Sequence, residues 1–140
     1  MDTDGNIMHN LNTLGNPSIN LDELPQYTID AFLCIEDKNF YQHNGLNVPR
    51  IIRASFNNII SGYAKEGAST ITQQLIKNTH LTQEKTLSRK IREAYLALQL
   101  EQQFSKDQIL STYLNMLYFG HGIYGIENAS ATFLDTMRLH

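Results

Sequence analysis

Helix punctuation governs what this chain can become. Beyond residue 20, apolar residues return at intervals of three and four, and residues that open or close helices stand where those runs begin and end. Pro25 suits a first turn and predicts a helix over 25–37. Asn47, Pro49 and Gly62 supply a cap, a first-turn proline and a stop for a second helix over 47–62. A short helix over 69–78 and a long one over 83–103 follow. Ser105 and Gln108 then have capping-box spacing, opening a helix that turns Ile109, Leu110, Tyr113, Leu114 and Leu117 inward. Gly120, Gly122 and Gly125 interrupt the pattern before a last helix over 126–134. The chain therefore reads as mainly α, preceded over 1–20 by a loose leader rich in Asn, Gly and Thr with room for one short strand.

With 140 residues there is length for one domain and one core. A formal charge of −3 lacks the basic surplus of a nucleic-acid-binding protein, so no nucleic-acid partner is expected. Charge is distributed unevenly, however. Between residues 77 and 92 the cations Lys77, Lys85, Arg89, Lys90 and Arg92 face only Glu84, which makes an anion-binding surface within an acidic protein. The single cysteine, Cys34, lies in the apolar run Ala31-Phe32-Leu33-Cys34-Ile35 and is expected to be a buried, inert thiol. No apolar run approaches the roughly 18 residues that span a bilayer.

One helix leaves its apolar face open to more than one reading. Over 47–62, Ile52, Phe56, Ile59, Ile60 and Tyr63 recur at helical spacing, with Arg50 and Arg53 near the start. The ordinary reading is a core-facing amphipathic helix; a helix lying on a membrane surface is the other. In the long helix, Leu87, Ile91, Tyr95, Leu98 and Gln102 trace one mostly apolar face.

The chemistry concentrates in three groups. Arg89, Lys90 and Glu93 share a helical face at spacings of four and three. Such a set is ordinarily a surface ion pair. Functionally it is a diphosphate clamp, the arginine forking to oxygens, the lysine a point charge, and Glu93 either holding a divalent metal or orienting the lysine. Glu36 and Asp37, followed by Phe40 and His43, form the second group. Neighbours on a helix point about 100° apart, so only one of the two acids can face a substrate. Glu36, at the negative pole of its helix, is the expected base, with Asp37 and His43 fixing the turn. The third group is Ser69, Thr70, Thr72, Gln73 and Gln74, a polar row at a helix start that suits an anion and a hydroxyl-rich ligand, or is simply a capped, solvated helix end. His43, His80 and His121 lack metal-ligand spacing.

Taken in order, these residues resemble the signatures of the family 51 peptidoglycan glycosyltransferases. They are Glu36-Asp37 through Phe40, His43 and Gly45; Gly67 to Gln74 with Lys77 and Asn78; Arg89-Lys90 with Glu93; Lys106, Ile109, Leu110, Tyr113, Leu114 and Asn115; and Tyr118-Phe119-Gly120 with Gly122, Tyr124, Gly125, Ile126 and Ala129. The resemblance spans about residues 21–133 and implies a lysozyme-like helical domain over 21–140 that polymerises lipid II at the outer face of the bacterial cytoplasmic membrane. By it, Glu36 is the general base for the acceptor 4-hydroxyl, attack is inverting, and undecaprenyl diphosphate leaves. Glu93 is the second catalytic glutamate, associated with the diphosphate and its Mg²⁺ or Mn²⁺. Ser69, Thr70, Gln73, Gln74, Lys77, Asn78, Arg89 and Lys90 fall at substrate-binding positions, with Asp37, Phe40 and His43 in support. The resemblance favours the membrane-surface reading of the helix after Gly45. It also implies a nascent glycan strand as partner, with a transpeptidase domain or division and elongation proteins as further ones.

Ser111 stands where many members carry Glu. The chain is expected to be a fragment, incomplete at both ends, without the family's usual N-terminal membrane anchor or its C-terminal helices. Two other functions fit part of the pattern. One is a peptidoglycan hydrolase or lytic enzyme on a lysozyme-like fold, which gives no reason for Arg89, Lys90 and Lys77 to converge. The other is a truncated, non-catalytic module that binds glycan or lipid.

Overall fold

The computed structural model describes residues 19–62, 67–80, 86–117, 119 and 121–138. The expected leader over 1–20, with its short strand, lies almost wholly outside them, as do Tyr63, Lys85 and Gly120. Six α-helices make up the described chain: α1 (Gln26–Glu36), α2 (Val48–Ser61), α3 (Ile71–His80), α4 (Leu87–Gln103), α5 (Lys106–Met116) and α6 (Ile126–Arg138). Short 3-10 turns, Leu21–Glu23 and Phe40–Gln42, precede α1 and α2.

Local chemistry accounts for the boundaries. Pro25 occupies the N-cap of α1, and Asp37 leaves helical geometry at its far end while its N–H still reaches Leu33 O at 3.0 Å. The Asn47 side chain accepts from Arg50 N at 3.0 Å, and α2 ends on Gly62 in the left-handed conformation. At α5 both halves of the capping box are formed, Ser105 Oγ accepting from Gln108 N and Gln108 Oε1 from Ser105 N. Beyond α5, Gly125 (φ +81°) turns the chain so closely that a Cβ there would lie 2.8 Å from Asn115 O. The last helix runs to Arg138, four residues past its expected end.

The core centres on α3, which packs most extensively against α4 and then α5. Ile71, Leu75 and Ile76 of α3 are buried with Ala97 and Leu100 of α4 and Ile109, Leu110, Tyr113 and Leu114 of α5. Ile29 and Phe40 join them from the preceding segment.

Two sequence expectations change, and the apolar face of α4 finds its direction. Cys34 is exposed, because α1 turns Ile29, Phe32 and Leu33 toward the core and position 34 lies about 100° around the helix from position 33. The core-facing reading of α2 fails: Ile52, Phe56 (65% exposed), Ile59 (79% exposed) and Ile60 face outward, and only Ala54 is buried. This helix packs extensively against none of the others described. On α4 the apolar face Leu87, Ile91, Tyr95 and Leu98 is also turned outward, while Glu93, Ala97 and Leu100 face the core. Small Ala97 allows the close approach on that side. The Gly45 loop (φ +89°) presses on it so tightly that a Cβ at 45 would meet Ala97 O at 2.8 Å.

Candidate active site

Helix α3 starts with a reciprocal cap: Thr70 Oγ1 accepts from Gln73 N and Gln73 Oε1 accepts from Thr70 N, both at 3.1 Å. The Thr70 hydroxyl also donates to Gly45 O at 2.7 Å. Asp37 completes this end, its Oδ2 accepting from Ile71 N at 3.1 Å and pairing with His43 Nε2 at 2.8 Å. A fully buried acid thus locks the turn after α1 onto the first residue of α3. Phe40 lies in the core, edge-on to the His43 ring and beneath the Lys106 ammonium, which stands 4.3 Å from the ring centre and pairs with Glu101.

The next residues of α3 divide between the two glutamates. Gln74 Nε2 donates to Glu36 Oε2 at 2.9 Å, and Gln73 Nε2 donates to Glu93 Oε1 at 3.2 Å. Adjacent amides, pointing about 100° apart, therefore each hold one acid. Glu36 is half-buried at the last position of α1, its backbone carbonyl accepts from Arg50 Nη1 at 2.7 Å, and its Oε1 has no partner among the described residues. Tyr113 Oη donates to Gln74 Oε1 at 3.1 Å. Burial, and then the nearby charge of Glu36, push the Tyr113 phenol up to about 12.

Glu93 is 1% exposed and surrounded by donors. Arg89 Nη1 meets its Oε2 at 2.8 Å, and Lys90 Nζ meets its Oε1 and the Ser69 hydroxyl, the latter at 2.9 Å. Two cations against one carboxylate leave the cluster net positive. The Lys90 side chain is 43% exposed, so part of that charge faces solvent. Lys77 and Asn78 extend the face of Gln73 and Gln74 by one turn; both are exposed and have no partner among the described residues.

Of the expected substrate-binding positions, Ser69, Gln74, Lys77, Asn78, Arg89 and Lys90 retain surface access, whereas Thr70 and Gln73 are buried and spent on internal bonds. The latter two build the site rather than line it. A metal role for Glu93 finds no donor set around it. Both oxygens are engaged by Arg89, Lys90 and Gln73, and among the described residues no group of three or more His, Cys, Asp or Glu could hold an ion. Two residues at the site were assigned no part in it from sequence, Arg50 and Tyr113. The signal for Tyr113 was available, since a core tyrosine needs a partner for its hydroxyl.

An accessible carboxylate at the end of α1 and a positively charged cluster on α4, each held by an amide of α3, define a class of helical domain with an acidic and a cationic site joined through one helix. Comparison with known proteins sharpens that class: the chain belongs to the transglycosylase family, whose profile matches residues 4–137. It is 45% identical to penicillin-binding protein 1F of Bacillus subtilis over 130 residues, covering 93% of this chain and 18% of that protein. Penicillin-binding protein 1A of Aquifex aeolicus is 45% identical over 115 residues, covering 82% of this chain and 16% of its own length. Penicillin-binding protein 1A of Escherichia coli is 44% identical over 115 residues, 82% of this chain and 14% of its own. The chain thus spans less than a fifth of the length of these relatives. No described helix is long and apolar enough to cross a membrane.

Proposed function

We propose that this chain carries the glycosyl-transfer step of peptidoglycan synthesis, joining lipid II units into a glycan strand. The observation that carries the proposal is the division of labour around α3, where Gln74 holds Glu36 apart from the cationic cluster that Gln73 joins at Glu93. In this reading Glu36 Oε1, the oxygen without a partner, removes the proton from the acceptor 4-hydroxyl. The resulting oxygen attacks the anomeric carbon of the donor with inversion. The bond to the diphosphate breaks with its electron pair, and the anion leaves against Lys90 and Arg89. Lys90 can swing toward the leaving group because its side chain is half-exposed, while Glu93 keeps both cations near. Lys77, Asn78 and Ser69 would complete the diphosphate and sugar contacts. A divalent cation, Mg²⁺ or Mn²⁺, enters this proposal only as a companion of the substrate's diphosphate.

The exposed stripe on α2 supports work at a lipid surface, here the outer face of the cytoplasmic membrane where a polyprenyl substrate resides. The relatives are named as penicillin-binding proteins, and a transpeptidase domain or division and elongation partners belong to the same proposal. The test is incubation of the protein with lipid II and Mg²⁺, with products separated by length on a gel. A ladder of glycan chains is expected from the wild type and none from Glu36→Gln. Release of short sugars from preformed peptidoglycan, with no ladder from lipid II, would replace the polymerase by a hydrolase.

A further inference from the structure

The side chain of Gln74 has two chemically different ends, and its neighbours decide which end points where. An ionised carboxylate can only accept, so the end 2.9 Å from Glu36 Oε2 is Nε2. The other end, Oε1, then accepts from Tyr113 Oη at 3.1 Å. Tyr113 is 2% exposed, packed among Ile109, Leu110 and Leu114. Its hydroxyl proton has no other acceptor among the described residues, and at 2% exposure the residue has little access to solvent. We propose that Tyr113 is a positioning residue for Glu36, acting through Gln74 by locking the amide with Nε2 on the carboxylate.

The lock matters when the carboxylate changes state. Once Glu36 has taken a proton on Oε1, rotation of the carboxyl group would bring its O–H to the position facing Gln74, where it would attract an amide oxygen that a half-turn of the Gln74 amide would supply. The carboxyl group would then be held in a hydrogen bond that delays its return to service. With Tyr113 in place the half-turn strands a buried hydroxyl proton, which disfavours it. The phenol, raised to about 12, keeps that proton at any pH near neutrality.

This inference rests on the reading of Glu36 as the base, and its test separates the two. Tyr113→Phe retains the ring in the core and removes only the hydroxyl. The side-chain amide pair of Gln74, assigned by its loss in Gln74→Ala, is followed by nitrogen–proton NMR. The pair should shift or broaden in Tyr113→Phe; an unchanged pair overturns the lock, whether or not the protein polymerises. Turnover of lipid II supplies the second arm. Tyr113→Phe should lower kcat about tenfold, the worth of one hydrogen bond, with KM within about twofold. In a Gln74→Ala background the same change should alter kcat by less than about twofold. An equal loss in both backgrounds means that Tyr113 acts through packing alone and overturns the positioning role. If the wild type makes no glycan, the polymerase reading falls while the NMR arm still decides the lock.

Discussion

Arg50 donates through Nη1 to the backbone carbonyl of Glu36 at 2.7 Å, tying the first turn of α2 to the last residue of α1. That carbonyl is one of the acceptors every helix leaves unpaired at its C-terminus, and the bond is charge-assisted. A helix whose apolar stripe faces outward is thereby anchored next to the residue expected to do the chemistry. Replacing Arg50 by Ala should cost about 1–2 kcal/mol of stability, a few degrees in melting temperature for a chain of this size. It should also lower turnover on lipid II. Melting and turnover identical to wild type would show that the contact has no energetic weight.

Glu36→Gln keeps the volume of the side chain and removes the proton acceptor. Loss of a general base lowers the rate by roughly 10²–10⁴, and the variant should lose turnover to that extent while binding lipid II nearly as well as wild type. Normal elongation by the variant would take Glu36 out of the role.

How far the residues disclosed these arrangements varies with the kind of signal. The N-terminal boundaries of α1, α2 and α5 were legible because Pro25, Asn47 and the Ser105–Gln108 box act on backbone groups within one turn of themselves. The direction of the apolar faces was not. Periodicity marks a stripe on a helix but carries no information about what covers it, and α2 and α4 both turn that stripe outward. On α4 the face that meets the core presents Glu93, which hydropathy alone would place outside, beside the small Ala97. Thr70 and Gln73 were equally hidden, since a cap that is buried has the same composition as one in water. The role of Arg50 depends on a contact across 14 residues, beyond the reach of local pattern, and although a core tyrosine signals the need for a hydroxyl partner, the identity of that partner lies 39 residues away.

The charge on Lys90 is only partly committed to Glu93, because its side chain remains 43% exposed. Lys90→Ala should weaken binding of a polyprenyl diphosphate at least tenfold, as expected for one lost charge-assisted contact, and reduce the salt dependence of that binding. Affinity for a glycan lacking the diphosphate should change little. Equal affinity of wild type and variant for the diphosphate lipid would remove Lys90 from the clamp.

On α2, Phe56 and Ile59 contribute little to the core. The double variant Phe56→Ser, Ile59→Asn should melt within a few degrees of wild type, because surface changes away from special features usually stay within about 0.5 kcal/mol each. Sedimentation with anionic phospholipid vesicles should fall by an order of magnitude or more, since the variant loses the apolar area that enters the interface. Unchanged sedimentation would mean that the stripe meets something other than lipid.

Glu93 is the acid for which stability and function are hardest to tell apart, and its substitution is informative for that reason. It is buried, and Glu93→Ala would leave Arg89, Lys90 and the Gln73 amide facing one another without the carboxylate that holds them. Removing one member of a buried ion pair costs about 3–5 kcal/mol, so the melting temperature should drop by roughly 10 °C. Glu93→Gln keeps the shape and one acceptor, and should recover part of that loss. If both variants melt like wild type yet lose turnover, Glu93 contacts the substrate or its cation directly. If melting and turnover fall together and are restored together, its work is to keep Arg89 and Lys90 in place.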